Sequence, residues 1–453
     1  MLDKKKPNIL FIVIDSLRND QCHGNNRTSI TPNIDKMISN GSYFSQTISS
    51  ADGTILALNS VLTGLFPFRT GTRAIKFSFQ KNNFIQELIN FGYSICGFGP
   101  SLTSFVPLSK YFENENSGYS AGPPAEPLSN NLGDKILELF NNIEQDKPWF
   151  YFLHIEELHS LREGSEPIGI DNFDDQKFGD SPYERIVSHI DHWIGKILDK
   201  INLENTIVVF TSDHGERIPY DNIRGVELEP KFDTSKKIGM KMLPKSTHKI
   251  GGKFLSKLRK PVGAAKLKNA NKDLEPYQIR SRDNYFTPSL FDELLRVPLV
   301  FYGYNIPKKN IKQQARGVDI FPTLCDMIEL EIKKKIDGQS LLPLLHNLEI
   351  PELPTFIHTI PHERPTKLDC MGVRTSNYKF FCSVDSENSE NHLYNLIMDP
   401  NENKNLINDE KEKVIEMNNI LQEFLNNRER REESTNSDEN KKISEELKKL
   451  GYL

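Results

Sequence analysis

Cysteine is scarce in this chain of 453 residues: Cys22, Cys96, Cys325, Cys370 and Cys382 lie scattered, with no C-x-x-C pair. So sparse and odd a set excludes a disulfide framework and points to a reducing compartment. Long apolar runs are missing too. The run Ile9 to Ile14 is closed by Asp15 and is too short for a membrane span or the core of a secretion signal, and no other run approaches that length. There is little excess charge of either sign, since 57 basic residues face 62 acidic ones for a net of −5. The molecule as a whole is therefore not built to coat nucleic acid, and no nucleic-acid partner is expected. Hydrophobic residues at 37% and a mean hydropathy of −0.52 exclude both a membrane-embedded chain and a disordered one. The expectation is a soluble, cytoplasmic globular protein, with a peripheral membrane location left open.

What is present is alternation. Short β-branched or aromatic runs at Ile9 to Ile14, Ser94 to Phe98, Trp149 to Leu153, Thr206 to Phe210 and Val297 to Tyr302 read as buried strands. Between them, helices are expected at Pro32 to Asn40, Ile55 to Thr63, Asn83 to Asn90, Leu132 to Ile143 and Pro182 to Ile201. In the last, Ile186, Ile190, Ile194, Ile197 and Leu198 form one apolar stripe. Strands alternating with helices imply an α/β fold with a parallel, doubly wound sheet. Residues 1–350 are expected to form the main α/β domain. A smaller C-terminal subdomain is expected over 351–427, with strands around Thr355 to His358 and Met371 to Ser383, and a charged linker with a last helix over 428–453.

Chemistry-bearing residues fall where open α/β sheets place their ligand sites, at the carboxyl ends of strands. Asp15 ends the first strand, and the strand Thr206 to Phe210 runs into Asp213 and His214. A carboxylate beside an imidazole can ligate a divalent cation, and each pair can equally be a polar loop cap. Thr54 stands before an apolar helical stretch, where it is either an N-cap or a nucleophile activated at a helix N-terminus. Spacing leaves both open. His189 and His192, three apart on a helix, read as helix packing because no acidic partner stands at a suitable spacing.

The ordered segments PNILFIVIDSLRND, TPNIDKM, LNSVLTGLFPFRTG, YERIVSHIDHWIGKILDKI, NTIVVFTSDHGE, FDELLRVPLVFYG, VDIFPTLCDMI, IDGQSLLPLL, VRTSNYKFF, HLYNLIMDPNENKNL and ISEELKKLGYL span nearly the whole chain. In this order they resemble the sulfatase family of the alkaline phosphatase superfamily. The resemblance implies an alkaline-phosphatase-like α/β sandwich with a mainly parallel central sheet, a small C-terminal sheet subdomain, and a metal-dependent ester hydrolase or transferase site. It implies metal ligands at Asp15, Asp213 and His214, with Thr54 at the nucleophile position and also touching the metal, which could be Zn, Mn, Ca or Mg. In Leu153-His154-Ile155-Glu156-Glu157-Leu158-His159, similar to the family's His-x-x-Asp-x-His, it implies that His159 faces the substrate and protonates the leaving group. A loop histidine bonded to backbone is the alternative.

The departures from the family pattern are as informative. Sulfatases carry C-x-P-x-R at the nucleophile, with a Cys or Ser oxidised to formylglycine, whereas this chain reads Thr54-Ile55-Leu56-Ala57-Leu58. Ser16 replaces the second carboxylate of an Asp-Asp pair, and Gly99-Pro100 stands where Gly-Lys is expected. On this reading a phosphate mono- or diester, or a phosphonate, is the first expected substrate, a sulfuric ester is the alternative, and an inactive binding protein comes third. The substrate is an anionic ester, small or polymer-linked. From Lys231 to Lys272, twelve Lys and one Arg face a single Asp, giving +12 and leaving −17 on the rest. That insertion suggests an anionic membrane surface or polysaccharide as a partner, with a solvated loop as the alternative. Its one histidine, His248, is either a further site residue or a solvated loop residue.

Overall fold

The computed structural model describes residues 6–24, 27–70, 76–79, 83–121, 128–141, 143, 146–161, 170–218, 272, 275–282, 290–360, 369–384 and 390–426. The insertion 231–271, His248 and the terminal segment 428–453 lie outside the described residues. Residues 1–216 together with 288–453 form one compact unit, and 217–287 a second.

The larger unit is organised around a sheet of β1 (Asn8–Ile14), β2 (Ser42–Ile48), β3 (Ser94–Pro100), β4 (Gly118–Tyr119), β5 (Trp149–Ile155), β6 (Thr206–Thr211), β7 (Arg296–Gly303), β8 (Lys309–Ile311) and β9 (Ala315–Arg316). The strand order is β4-β3-β5-β1-β6-β7-β2-β8, with β9 also paired to β2. Strands β4, β3, β5, β1 and β6 are mutually parallel. The sheet is thus mainly parallel, as expected, with two antiparallel pairings, because β7 runs antiparallel to both β6 and β2. Every residue of β1, β3, β5 and β6 is buried, which is why these strands read as nearly continuous apolar runs.

The helices used below are α1 (Pro32–Asn40), α2 (Thr54–Thr63), α3 (Phe84–Asn90), α4 (Gly133–Asn141), α5 (Pro182–Leu198), α6 (Ile320–Met327) and α7 (Lys411–Asn426). Phe11 and Val13 of β1 share one core with Phe150 and Phe152 of β5, Leu58 and Leu62 of α2, Phe84 of α3 and Leu324 of α6. Leu10, Ile12 and Ile14, which alternate to the opposite face, are equally buried, so both faces of the sheet are covered. The apolar stripe of α5 is buried at Ile186, Ile190, Ile194 and Ile197. Its start is fixed by a capping box between Ser181 and Glu184. From the middle of α5, Asp191 accepts from the backbone N–H of Ile34 at 2.7 Å and so caps the N-terminus of α1. Among the described residues no helix is long and apolar enough to cross a membrane.

A separate antiparallel sheet follows, in the order β10 (Thr355–His358), β11 (Cys370–Arg374), β12 (Tyr378–Ser383) and β13 (Asn391–Asn395). The expected strand Met371 to Ser383 is two strands turning at Thr375 to Asn377, and β13 adds an edge that the sequence reading did not contain. A buried ion cluster ties this sheet to the start of β7. Asp292, on the short helix Asp292–Leu295, meets Arg374 Nη2 at 2.8 Å and Lys379 Nζ at 2.5 Å, and that same Nζ lies 2.8 Å from Glu402. The small sheet also reaches the loop before α2. His358 N–H donates to the Ser50 carbonyl at 3.1 Å, and Ile360 N–H donates to Asp52 Oδ1 at 2.7 Å.

Candidate active site

Three neighbouring parallel strands deliver side chains to one point. Asp15 follows β1, His154 lies near the end of β5 in register with Val13, and Asp213 and His214 follow β6. Thr54 arrives from the side as the first residue of α2. The cap position of that helix belongs to Gly53 and makes no side-chain capping bond. The Thr54 hydroxyl is therefore free of capping duty and donates instead to Asp15 Oδ2 at 3.1 Å, with His214 Nε2 3.4 Å away. Thus Asp15, Thr54, Asp213 and His214, far apart in sequence, meet at one buried point.

The hydrogen bonds around them fix which atoms face inward. His214 Nδ1 lies 2.7 Å from the Gly215 carbonyl and must donate to it, leaving the Nε2 lone pair toward Thr54. Asp213 Oδ1 accepts from the backbone N–H of Ser16 at 3.1 Å and of His214 at 2.8 Å, which turns Oδ2 into the site. Ser16, in a left-handed conformation with φ 63°, donates its hydroxyl to Asp15 Oδ1 at 2.6 Å. It thereby spends on a hydrogen bond the place where the resemblance implies a second carboxylate.

Electrostatics alone do not balance this cluster. Burial pushes Asp15 up, but the imidazoles of His214, His159 and His154 and the Ser16 hydroxyl outweigh it and hold the carboxyl at about 2. Burial and the adjacent Asp15 push Asp213 up. Burial lowers the His214 imidazole, but Asp213 and Asp15 more than reverse this and raise it. Asp15, His154 and Asp213 offer ligand atoms all within 4.8 Å of one another, and all three residues are buried. Asp213 Oδ2 is buried with no hydrogen-bond partner among the described residues. Two buried carboxylates, inward imidazole nitrogens and an orphaned oxygen are the donor set of a divalent cation, so the residues present fit a metal.

The other sequence candidates are distributed as follows. His159 is buried in the 3-10 turn Glu157–Leu161 just beyond β5, close enough for its charge to act on Asp15. His189 is corrected from a helix-packing residue to a buried hydrogen-bonding one. Its Nδ1 lies 2.8 Å from Glu157 Oε1, and its Nε2 accepts from Trp193 Nε1 at 3.0 Å. The acidic partner comes from another element, which spacing along the helix could not show. His192 is exposed. Sequence reasoning gave His154 no role, although the signal was there: it continues the alternation Phe150, Phe152 as a polar residue on an otherwise apolar strand face.

Residues 7–330 match the family model described as sulfatase, and 284–431 match that of the C-terminal part of N-sulphoglucosamine sulphohydrolase. Arylsulfatase K of Mus musculus is 25% identical over 150 residues, 31% of this chain and 27% of that relative. The chain thus matches about a quarter of that relative's length. A protein solved with its substrate D-glucosamine-2-N,6-O-disulfate superposes with TM-score 0.63 and 16% identity, covering 93% of this chain and 98% of the other. The phosphonate monoester hydrolase of Agrobacterium radiobacter superposes with TM-score 0.60 and 15% identity, covering 93% and 95%. At these identities the superpositions establish the fold alone.

Proposed function

The chain belongs to the sulfatase family, and from that premise we propose that it is a metal-dependent hydrolase of anionic tetrahedral esters, with sulfuric esters as its first substrate class. The convergence of Asp15, Thr54, Asp213 and His214 on one buried point carries the proposal. The relatives weigh for sulfuric over phosphoric esters, reversing the order that the loss of C-x-P-x-R suggests on its own. Sulfated sugars come first among them, since one similar structure holds a sulfated glucosamine.

Asp15, Asp213, His214 and the Thr54 hydroxyl would hold the cation. When bound, a divalent ion there supplies positive charge against the ester oxygens and acidifies the hydroxyl. Thr54 Oγ1 passes its proton to the Asp15 carboxylate it donates to and attacks the central atom in line, displacing the alcohol and forming a threonine ester. Water then opens that ester, giving one proton to the deprotonated His159 while Asp15 returns its proton to Oγ1. His159 donates the proton that the departing alkoxide needs. The buried walls around Asp15 exclude bulk water, which strengthens each of these interactions.

A second reading, a phosphate or phosphonate ester hydrolase, is favoured by one observation. The residue at the head of α2 is a threonine, which attacks phosphorus directly but cannot become a formylglycine hydrate. Metal-loaded protein assayed on p-nitrophenyl sulfate, phosphate, bis-phosphate and phenylphosphonate separates the two. Turnover of the sulfate supports the first reading, turnover of phosphorus esters alone supports the second, and no turnover of any of them defeats both.

A further inference from the structure

His154 is buried at 1% exposure, and neither of its ring nitrogens has a hydrogen-bond partner among the described residues. Structural histidines in a core bond at least one nitrogen, because an unsatisfied buried polar atom costs free energy. The ring is held between Phe105 and Phe152, with centroids 5.4 and 6.3 Å away, so a phenylalanine would suit the packing better. What an imidazole adds is a lone pair. Its Nε2 lies 3.7 Å from Asp15 Oδ2, on the side where Asp213 Oδ2 is also orphaned. His214 Nε2 in turn lies 3.6 Å from that Asp213 oxygen.

We propose that His154 is itself a ligand of the cation, standing in for the carboxylate that Ser16 lacks, and that the centre therefore selects a first-row transition cation of the Zn²⁺ class over Ca²⁺ or Mg²⁺. The proposal rests on the metal-dependent reading above. Its chemistry is that of the donor set: two imidazoles, two carboxylates and one hydroxyl. Imidazole nitrogen suits Zn²⁺ and its neighbours, whereas Ca²⁺ and Mg²⁺ take oxygen ligands.

The test uses the full-length protein, stripped by chelator and titrated with Zn²⁺, Co²⁺ and Ca²⁺ separately. Binding is read by competition with a chromophoric chelator, and the Co²⁺ site by its visible absorption. The expected result is Zn²⁺ binding at least about 100-fold tighter than Ca²⁺. His154→Gln and His154→Phe should each weaken Zn²⁺ by about tenfold or more and alter the Co²⁺ spectrum. X-ray absorption of the Zn²⁺-loaded wild type needs no variant to fold and should count two imidazoles. One imidazole, an unchanged Co²⁺ spectrum in both His154 variants, or a preference for Ca²⁺ would overturn the proposal while leaving a metal centre in place. Binding of no cation by the wild type would instead remove the metal reading on which it stands.

Discussion

Two jobs open to a threonine at the start of a helix separate at Thr54. Gly53 holds the cap position, so Thr54→Ala removes no cap and should cost only about 1 kcal/mol, the worth of the hydroxyl's hydrogen bond to Asp15, measured by thermal or denaturant unfolding. The same change should lower turnover on the order of 10⁴-fold or more, with Thr54→Ser keeping part of it. If Ala costs stability and leaves the rate intact, the hydroxyl is merely structural. Asp213→Asn should keep the fold and lose cation binding by equilibrium dialysis, because Oδ2 faces the site while Oδ1 is held by backbone N–H groups. The sequence displayed Asp15, Asp213 and His214 because each ends a strand, and Thr54 because it opens a helix. It concealed the pairing of Glu157 with His189, since the two lie on different elements. His154 was legible only as a polar break in an apolar strand face, which marks the residue without naming the Asp15 and Asp213 oxygens it meets.

Among the elements, the short helix Asp292–Leu295 and strands β11 and β12 are joined by charge that is buried yet fully paired. Burial alone would push Asp292 up, but Arg374 and Lys379 outweigh it and hold its carboxyl far below the ordinary value of 3.8. Because the folded value is depressed, the stability this carboxylate contributes is present above about 3.8 and drains away as pH falls below it. Asp292→Asn should cost roughly 3 to 5 kcal/mol at neutral pH, since it leaves buried Arg374 without a carboxylate and Lys379 with Glu402 alone, and the variant should lose less further stability on acidification than the wild type. Urea unfolding at pH 7 and pH 4 measures both. The strands β1, β3, β5 and β6 were legible because burial on both faces writes continuous apolar runs. Strand β2 was not, because SYFSQTI mixes polar with apolar residues and bends at a bulge between Phe44 and Thr47. The direction of β7 was hidden as well, for hydrophobicity carries no sense of direction.

For the molecule as a whole, cation removal and stability should move together if the site is a metal centre. Chelation should lower the melting temperature, and returning metal at about 100 times its Kd should restore roughly 2.7 kcal/mol, read by calorimetry. An identical melt with and without chelator would argue against a resident ion. A chain ending at residue 350 should fail to fold to a soluble, cooperatively melting form. It leaves Phe66 and Val318 without Phe356, Val373 and Phe380, with which they share a core.

The link from Ile360 to Asp52 has a consequence for how such a protein can be re-engineered or can diverge. The loop that sets the depth of Thr54 is pinned by backbone from the small sheet, at His358 and Ile360, and a Cβ at Gly53 would meet the Ile360 side chain and force it to shift. A graft of the C-terminal sheet from a relative would bring its own version of that pin and reset the nucleophile. The two sheets are therefore coupled at this loop, and a chimera joined near residue 350 should regain its rate only when the Ser50 to Gly53 loop is exchanged along with the sheet.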